Sequence, residues 1–136
     1  MFRRDHQDEE LATRIDHLMT SIVLRDDEDR LDGVMAHVAP DVVYVGPWAV
    51  FDGPVGLSEA FERLRRADRQ PASLRRTSGV DCHHHYFRFS WERLERGAVV
   101  VSGWIFGSLD ESGAIDRFVV FEGLEPGQSG DRHEGP

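Results

Sequence analysis

After Pro71 the apolar residues of this chain change their spacing, and that change limits the folds open to it. Ahead of it the spacing is helical. Leu11, Ile15, Leu18 and Ile22 form one stripe between Glu9 and Arg25. Asp27 is suited to cap a second helix carrying Leu31, Val34, Met35 and Val38, which Ala39-Pro40-Asp41 ends, because a residue before proline avoids the helical region. Val42-Val43-Tyr44-Val45 reads as a short strand, and 47–51 continues extended. Asp52-Gly53-Pro54 then opens a third helix that buries Leu57, Phe61 and Leu64 and ends near Asp68. Beyond Pro71 the period is two. It predicts strands over 73–80, 82–95, 98–109 and 114–122, joined by the turns Glu95-Arg96-Gly97 and Asp110-Glu111-Ser112-Gly113. Helices first and an antiparallel meander last make an α+β domain with three N-terminal helices on one sheet face. Long strands curl as they twist, so helices on the concave side leave a cone with a pocket.

The expected domain runs over 9–122, with 1–8 a frayed N-terminus and 123–136 a disordered tail. At 136 residues the chain suffices for one core. A net charge of −9 argues against nucleic acid as a partner, since phosphate contacts need a positive face. The arginines at 63, 65, 66, 69, 75 and 76 are the local exception, and with Glu59 and Glu62 within a turn they read as a solvated face. No apolar run approaches the roughly 20 residues that span a bilayer, and the first residues lack a signal peptide's apolar core. The lone Cys82 excludes an internal disulfide and a cysteine-based zinc site. We therefore expect a cytoplasmic protein. Its basic side chains are all arginine, as a GC-rich bacterial genome would encode.

The stretch "DCHHHYFRFSW" (81–91) carries the densest chemistry. In a continuous strand His83, His85, Phe87, Phe89 and Trp91 share one face, and Cys82, His84, Tyr86, Arg88 and Ser90 the other. The first set is the more apolar and is expected to face inward. A one-residue register change would instead send His84, Tyr86 and Arg88 inward. His85 and His83 are the candidate catalytic groups, as general base or substrate hydrogen-bond partner. The bland alternative is two imidazoles at the pocket edge without chemistry. A metal site needs a third ligand, from His17, His37, Asp81 or Asp116, and no spacing supports one. Asp116 either orients an imidazole or sits at the solvent end of its strand. Neither a metal nor a cofactor is expected, and phosphate-loop, dinucleotide and nucleophile-elbow motifs are absent.

Four stretches in this order, "RLDGVMAHVAPDVVYVGP" (30–47), "DGPVGLSEAF" (52–61), "DCHHHYFRFSW" (81–91) and "SGWIFGSLDESGAIDRFVVF" (102–121), resemble the SnoaL-like group of the nuclear-transport-factor-2-like superfamily. The resemblance implies a cone-shaped α+β barrel, frequent homodimers and a pocket for small, often cyclic, apolar molecules. It implies no single reaction. The steroid-isomerase members' base, oxyanion acid and tyrosine fall at Gly46, Ile105 and Ile22, and the epoxide hydrolases' final-strand aspartate at Val120. Those positions carry none of the chemistry.

Alternation and the resemblance together place Tyr44, Trp48, Phe61, Leu64, Phe87, Phe89, Ile105, Phe118 and Val120 around a bound ligand, with Val99 and Val101 also inward. Tyr86, Val100, Trp104, Phe106, Val119 and Phe121 make the outer sheet face apolar too, which predicts a homodimer packed through it. Two readings stay open. One is a protein for a small cyclic or aromatic compound, with cofactor-free acid–base isomerase, cyclase or dehydratase activity. The other is a non-catalytic ligand-binding or dimerisation module.

Overall fold

A computed structural model describes residues 2–47, 49–67 and 72–123, with side chains over 8–47, 49–62 and 73–123. The expected tail, apart from Gly123, lies outside these residues, as does Trp48; for Leu64 only the backbone is described. Helix α1 spans Phe2–Ile22, starting nine residues before Leu11, the first of the apolar stripe, and α2 spans Asp27–Met35. Strands β1 (Val38–Val45) and β2 (Val50–Asp52) precede α3 (Gly53–Ala67). Five strands follow: β3 (Ala72–Arg76), β4 (Asp81–His83), β5 (Tyr86–Glu95), β6 (Ala98–Leu109) and β7 (Ile115–Glu122). They form one open sheet in the order β2-β1-β7-β6-β5-β3, with β4 also paired to β5. Every pairing is antiparallel except β1 with β7, which is parallel. The fold is α+β, with three helices and a curved seven-stranded sheet.

The cap of α2 is Asp26 rather than Asp27: its backbone is extended and its carboxylate accepts from Asp29 N. Asp27 instead holds Arg30, 2.7 Å away. Arg30 is 2% exposed. It donates to Ser58 O and Oγ and to Leu24 O, and pairs with Glu62 at 2.9 Å. This satisfied buried cation ties α2 to α3. Val38, expected in the second helix, opens β1 instead. The β1–β7 register shifts between Val38 and Val43, around Pro40, which has no N–H for a ladder bond.

The predicted strand 82–95 is two strands. His84 and His85 have φ of 49° and 72°, and they link His83 to its cross-strand partner Tyr86 as a two-residue hairpin turn. Two successive positive φ values are the type I′ geometry, whose usual residues are Asn-Gly. Imidazoles in those places hid the turn. A bulge between Arg93 and Leu94 sets Val99 opposite Leu94, so Val99 leaves the inner face while Val101, opposite Arg93, keeps it.

Curvature comes from glycine. A Cβ on Gly103 would stand 1.9 Å from Phe121 O, and one on Gly107 would stand 2.3 Å from Phe87 Cζ. Their bare backbones let β7 and the Phe87 ring close in. The concave face carries one apolar core: Leu11, Ile15 and Leu18 of α1 and Leu57 and Phe61 of α3 join Phe87, Phe89, Ile105 and Phe118 of the sheet. Arg76 reaches Asp16 through two 2.9 Å bonds and staples β3 to α1. Arg75 pairs with Glu92.

Candidate functional site

The sheet organises two regions. The first surrounds Tyr44, which alternation in β1 turns inward beside Val42. Its ring lies edge-on to Phe61 with centroids 5.4 Å apart, stacks at 6.4 Å on Phe118, and meets Phe51 at 6.2 Å. Burial, aided by the carboxylate of Glu122, pushes the phenol up to about 12. Tyr44 is thus a neutral hydrogen-bond donor across the physiological range. A Cβ on Gly46 would stand 2.7 Å from the Tyr44 hydroxyl. With Tyr44 so placed, position 46 has no room for a proton-abstracting carboxylate.

Deeper in the concave face, Phe87 and Phe89 stack at 6.2 Å with planes 11° apart. Trp91 is buried beyond them, and its indole N–H has no hydrogen-bond partner among the described residues. Ile105 and Phe118 are buried and Val120 packs against the same core. The structure therefore gathers Tyr44, Phe61, Phe87, Phe89, Ile105, Phe118 and Val120 on one inner surface, as alternation requires.

The histidines are elsewhere. Directly opposed residues share a sheet face, so His83 lies with Tyr86 on the outer side while Cys82, opposite Phe87, packs against the core. His85 belongs to the turn, where its carbonyl accepts from Leu109 N at 2.7 Å. His83 and His85 thus do not extend the Phe87–Phe89–Trp91 stripe; a strand face cannot continue through a hairpin turn. His83 Nε2 sits 3.5 Å from Asp81 Oδ1, and Arg88 Nε donates to Asp81 Oδ2. Tyr44 lies in the same cross-strand row as Phe118, Gly107 and Phe87, three strands from the turn, so on the order of 15 Å separates them. Asp116 stands at the β6–β7 register shift, where its carboxylate accepts from Ser108 Oγ. Among the described residues no three His, Cys, Asp or Glu side chains converge as metal ligands.

Around the turn is the second region, a groove of about 540 Å³. It runs between His83, His84 and His85 on one side and Asp8, Glu10, Leu11 and Arg14 of α1 on the other, closed by Leu109 and Gly113. Arg14 donates to Gly113 O at 2.8 Å, linking residues 99 positions apart. Next to it His37 is half-buried, and burial, Arg14 and then His17 hold its imidazole below the ordinary histidine value. Sequence reasoning missed Arg14 and Arg30. Helical spacing carried the signal: Arg14 is three residues after Leu11, and Arg30 four before Val34.

No protein-family model matches the chain, and neither does any curated protein. Solved structures do. A proposed isomerase of the SnoaL-like family from Agrobacterium tumefaciens is 25% identical at a TM-score of 0.76, the match covering 83% of this chain and 97% of that one. A proposed polyketide cyclase from Sinorhizobium meliloti gives 0.64 at 14% identity, covering 84% and 98%. A nuclear-transport-factor-2-like protein of unknown function from an Exiguobacterium species gives 0.66 at 14%, covering 81% and 98%. No helix among the described residues is long and apolar enough to cross a membrane. With its curved sheet, its three helices on the concave side and these neighbours, the chain is a SnoaL-like member of the nuclear-transport-factor-2-like superfamily.

Proposed function

We propose that this protein binds a small apolar, cyclic or aromatic molecule inside the cone, beside Tyr44. The carrying observation is a phenol kept neutral among the rings of Phe51, Phe61 and Phe118. Aromatic walls favour a flat ligand by shape and dispersion, and one fixed hydroxyl selects a ligand carrying a carbonyl or hydroxyl.

Binding is better supported than turnover. Gly46, Ile22, Ile105 and Val120 occupy the family's proton-handling positions and supply no acid or base. A cofactor-free isomerase or cyclase acting through His85 or His83 needs its substrate in the groove beside the turn. Bacterial origin and a cytoplasmic location belong to the same proposal, supported by the arginine-only basic set and by neighbours from bacteria.

The test is a thermal-shift panel of steroids and aromatic polyketides on the wild type and Tyr44→Phe. We expect at least one compound to raise the melting temperature, and Tyr44→Phe to weaken it by about tenfold, the worth of one hydrogen bond. A panel with no stabilising compound, or one whose binding ignores Tyr44→Phe, would sink the proposal.

A second reading rests on a separate observation. Tyr86 (67%), Phe106 (40%) and Phe121 (54%) are exposed on the outer sheet face, alongside the half-buried Trp104 and Val119. Such an apolar surface fits a homodimer packed through that face.

A further inference from the structure

The groove beside the histidine turn lies at the edge of the covered sheet face, where Leu11, Cys82 and Leu109 of the core join its lining, and Tyr44 is not among its walls. Its volume, about 540 Å³, is in the range of small-molecule sites. Its walls carry both signs of charge. Arg14 is fixed by its bond to Gly113 O, which takes one of a guanidinium's five donors. His84 and His85 add two imidazoles from the turn, and Asp8 and Glu10 bring carboxylates from α1. Leu11 and Leu109 supply an apolar floor between them.

The turn makes the imidazoles harder to dismiss. Two consecutive residues with side chains hold φ of 49° and 72°, a conformation that Asn-Gly adopts with less strain. Backbone strain kept at a groove wall is a reason to ask what the side chains do there. The other charges nearby are already engaged. Asp81 faces His83 and Arg88, and Asp110 accepts from Ser112 and Ala114.

We infer that this groove is a second ligand site, for a small zwitterion: a carboxylate and an ammonium on one apolar body, as in an aromatic amino acid. A simple anion would meet Asp8 and Glu10, and a simple cation would meet Arg14. A zwitterion satisfies both walls, with its carboxylate on Arg14 and the imidazoles and its ammonium on the α1 carboxylates.

The probe is L-phenylalanine, compared with 3-phenylpropanoate, which lacks the ammonium, and 2-phenylethylamine, which lacks the carboxylate. Binding is measured by calorimetry, and its place by the imidazole C–H resonances. The decisive variant joins His84→Asn to His85→Gly, which keeps the turn type and removes both rings. We expect saturable shifts of the imidazole signals with L-phenylalanine and about tenfold weaker binding of either half-ligand. The double variant should lose about tenfold in affinity while its melting temperature holds or rises. Asp8→Asn with Glu10→Gln should weaken L-phenylalanine and spare 3-phenylpropanoate. Unchanged affinity in the turn variant overturns the assignment. So does a half-ligand that binds as tightly as L-phenylalanine, or a carboxylate variant that spares L-phenylalanine.

Discussion

Both faces of the sheet carry large apolar side chains, and their fates are opposite. Phe87, Phe89, Trp91 and Ile105 alternate along β5 and β6 with Tyr86, Ser90, Trp104 and Phe106. The first set is buried, while Tyr86 and Phe106 remain exposed, as does Phe121 on β7. Helices α1 and α3 cover one side only. Alternation decides which residues travel together; coverage decides which set becomes the core. On the outer side Phe106 and Phe121 meet edge-to-face at 5.6 Å, a pair already formed with no helix above it.

Equal truncations on the two faces give the sharpest contrast. Phe89, fully buried, should cost about 3–5 kcal/mol on Phe89→Ala, through lost transfer energy and the cavity left behind. Phe121→Ala, made at a protein concentration low enough to exclude association, should cost less than about 1 kcal/mol. Urea unfolding measures both. Similar costs would mean that coverage does not separate the faces.

The outer face can next be tested for a partner. Phe106→Glu with Phe121→Glu should convert a dimer, twice the 15.5 kDa chain, into a monomer in light scattering at micromolar concentration, with the fold intact by circular dichroism. A wild type already monomeric there removes the homodimer.

What could be read from sequence follows the range of the forces involved. The switch to period two after Pro71, the inner stripe of β5 and the Gly53-Pro54 helix start are local, and they stand where expected. The turn at His84-His85 is also local, but its φ values are foreign to histidine, so propensity pointed to a continuous strand. Val99 followed simple alternation until the Arg93/Leu94 bulge moved it, and a bulge has no fixed residue signature. Arg30 has no local partner pattern that marks it for the interior; Ser58 and Glu62, about thirty residues on, explain its burial. The groove depends on Arg14 meeting Gly113, a contact that no local pattern encodes. The histidines were noticed for their chemistry and misplaced for their geometry.

The smallest expected effect lies at the rim of the covered face, at His37. Its carbonyl accepts from Ile115 N at the start of β7, and its ring is 6.0 Å from that of His17 on α1. Burial, then Arg14, then His17 disfavour the imidazolium, so the folded value lies below the 6.5 of an unperturbed histidine. The unfolded chain therefore takes up this proton first as pH falls. The His37 contribution to stability is intact above pH 6.5 and is lost as pH falls from there through the folded value. The side chain is only half-buried, so water screens the effect and the slope is shallow. Melting temperatures of the wild type and His37→Gln between pH 8 and pH 5 measure it. The two curves should run parallel above pH 7, and the wild type should fall further below 6.5. Parallel curves throughout would mean that the contact between α1 and the sheet rim is loose enough to admit a charged imidazole. The coverage separating the two faces would then stop short of His37.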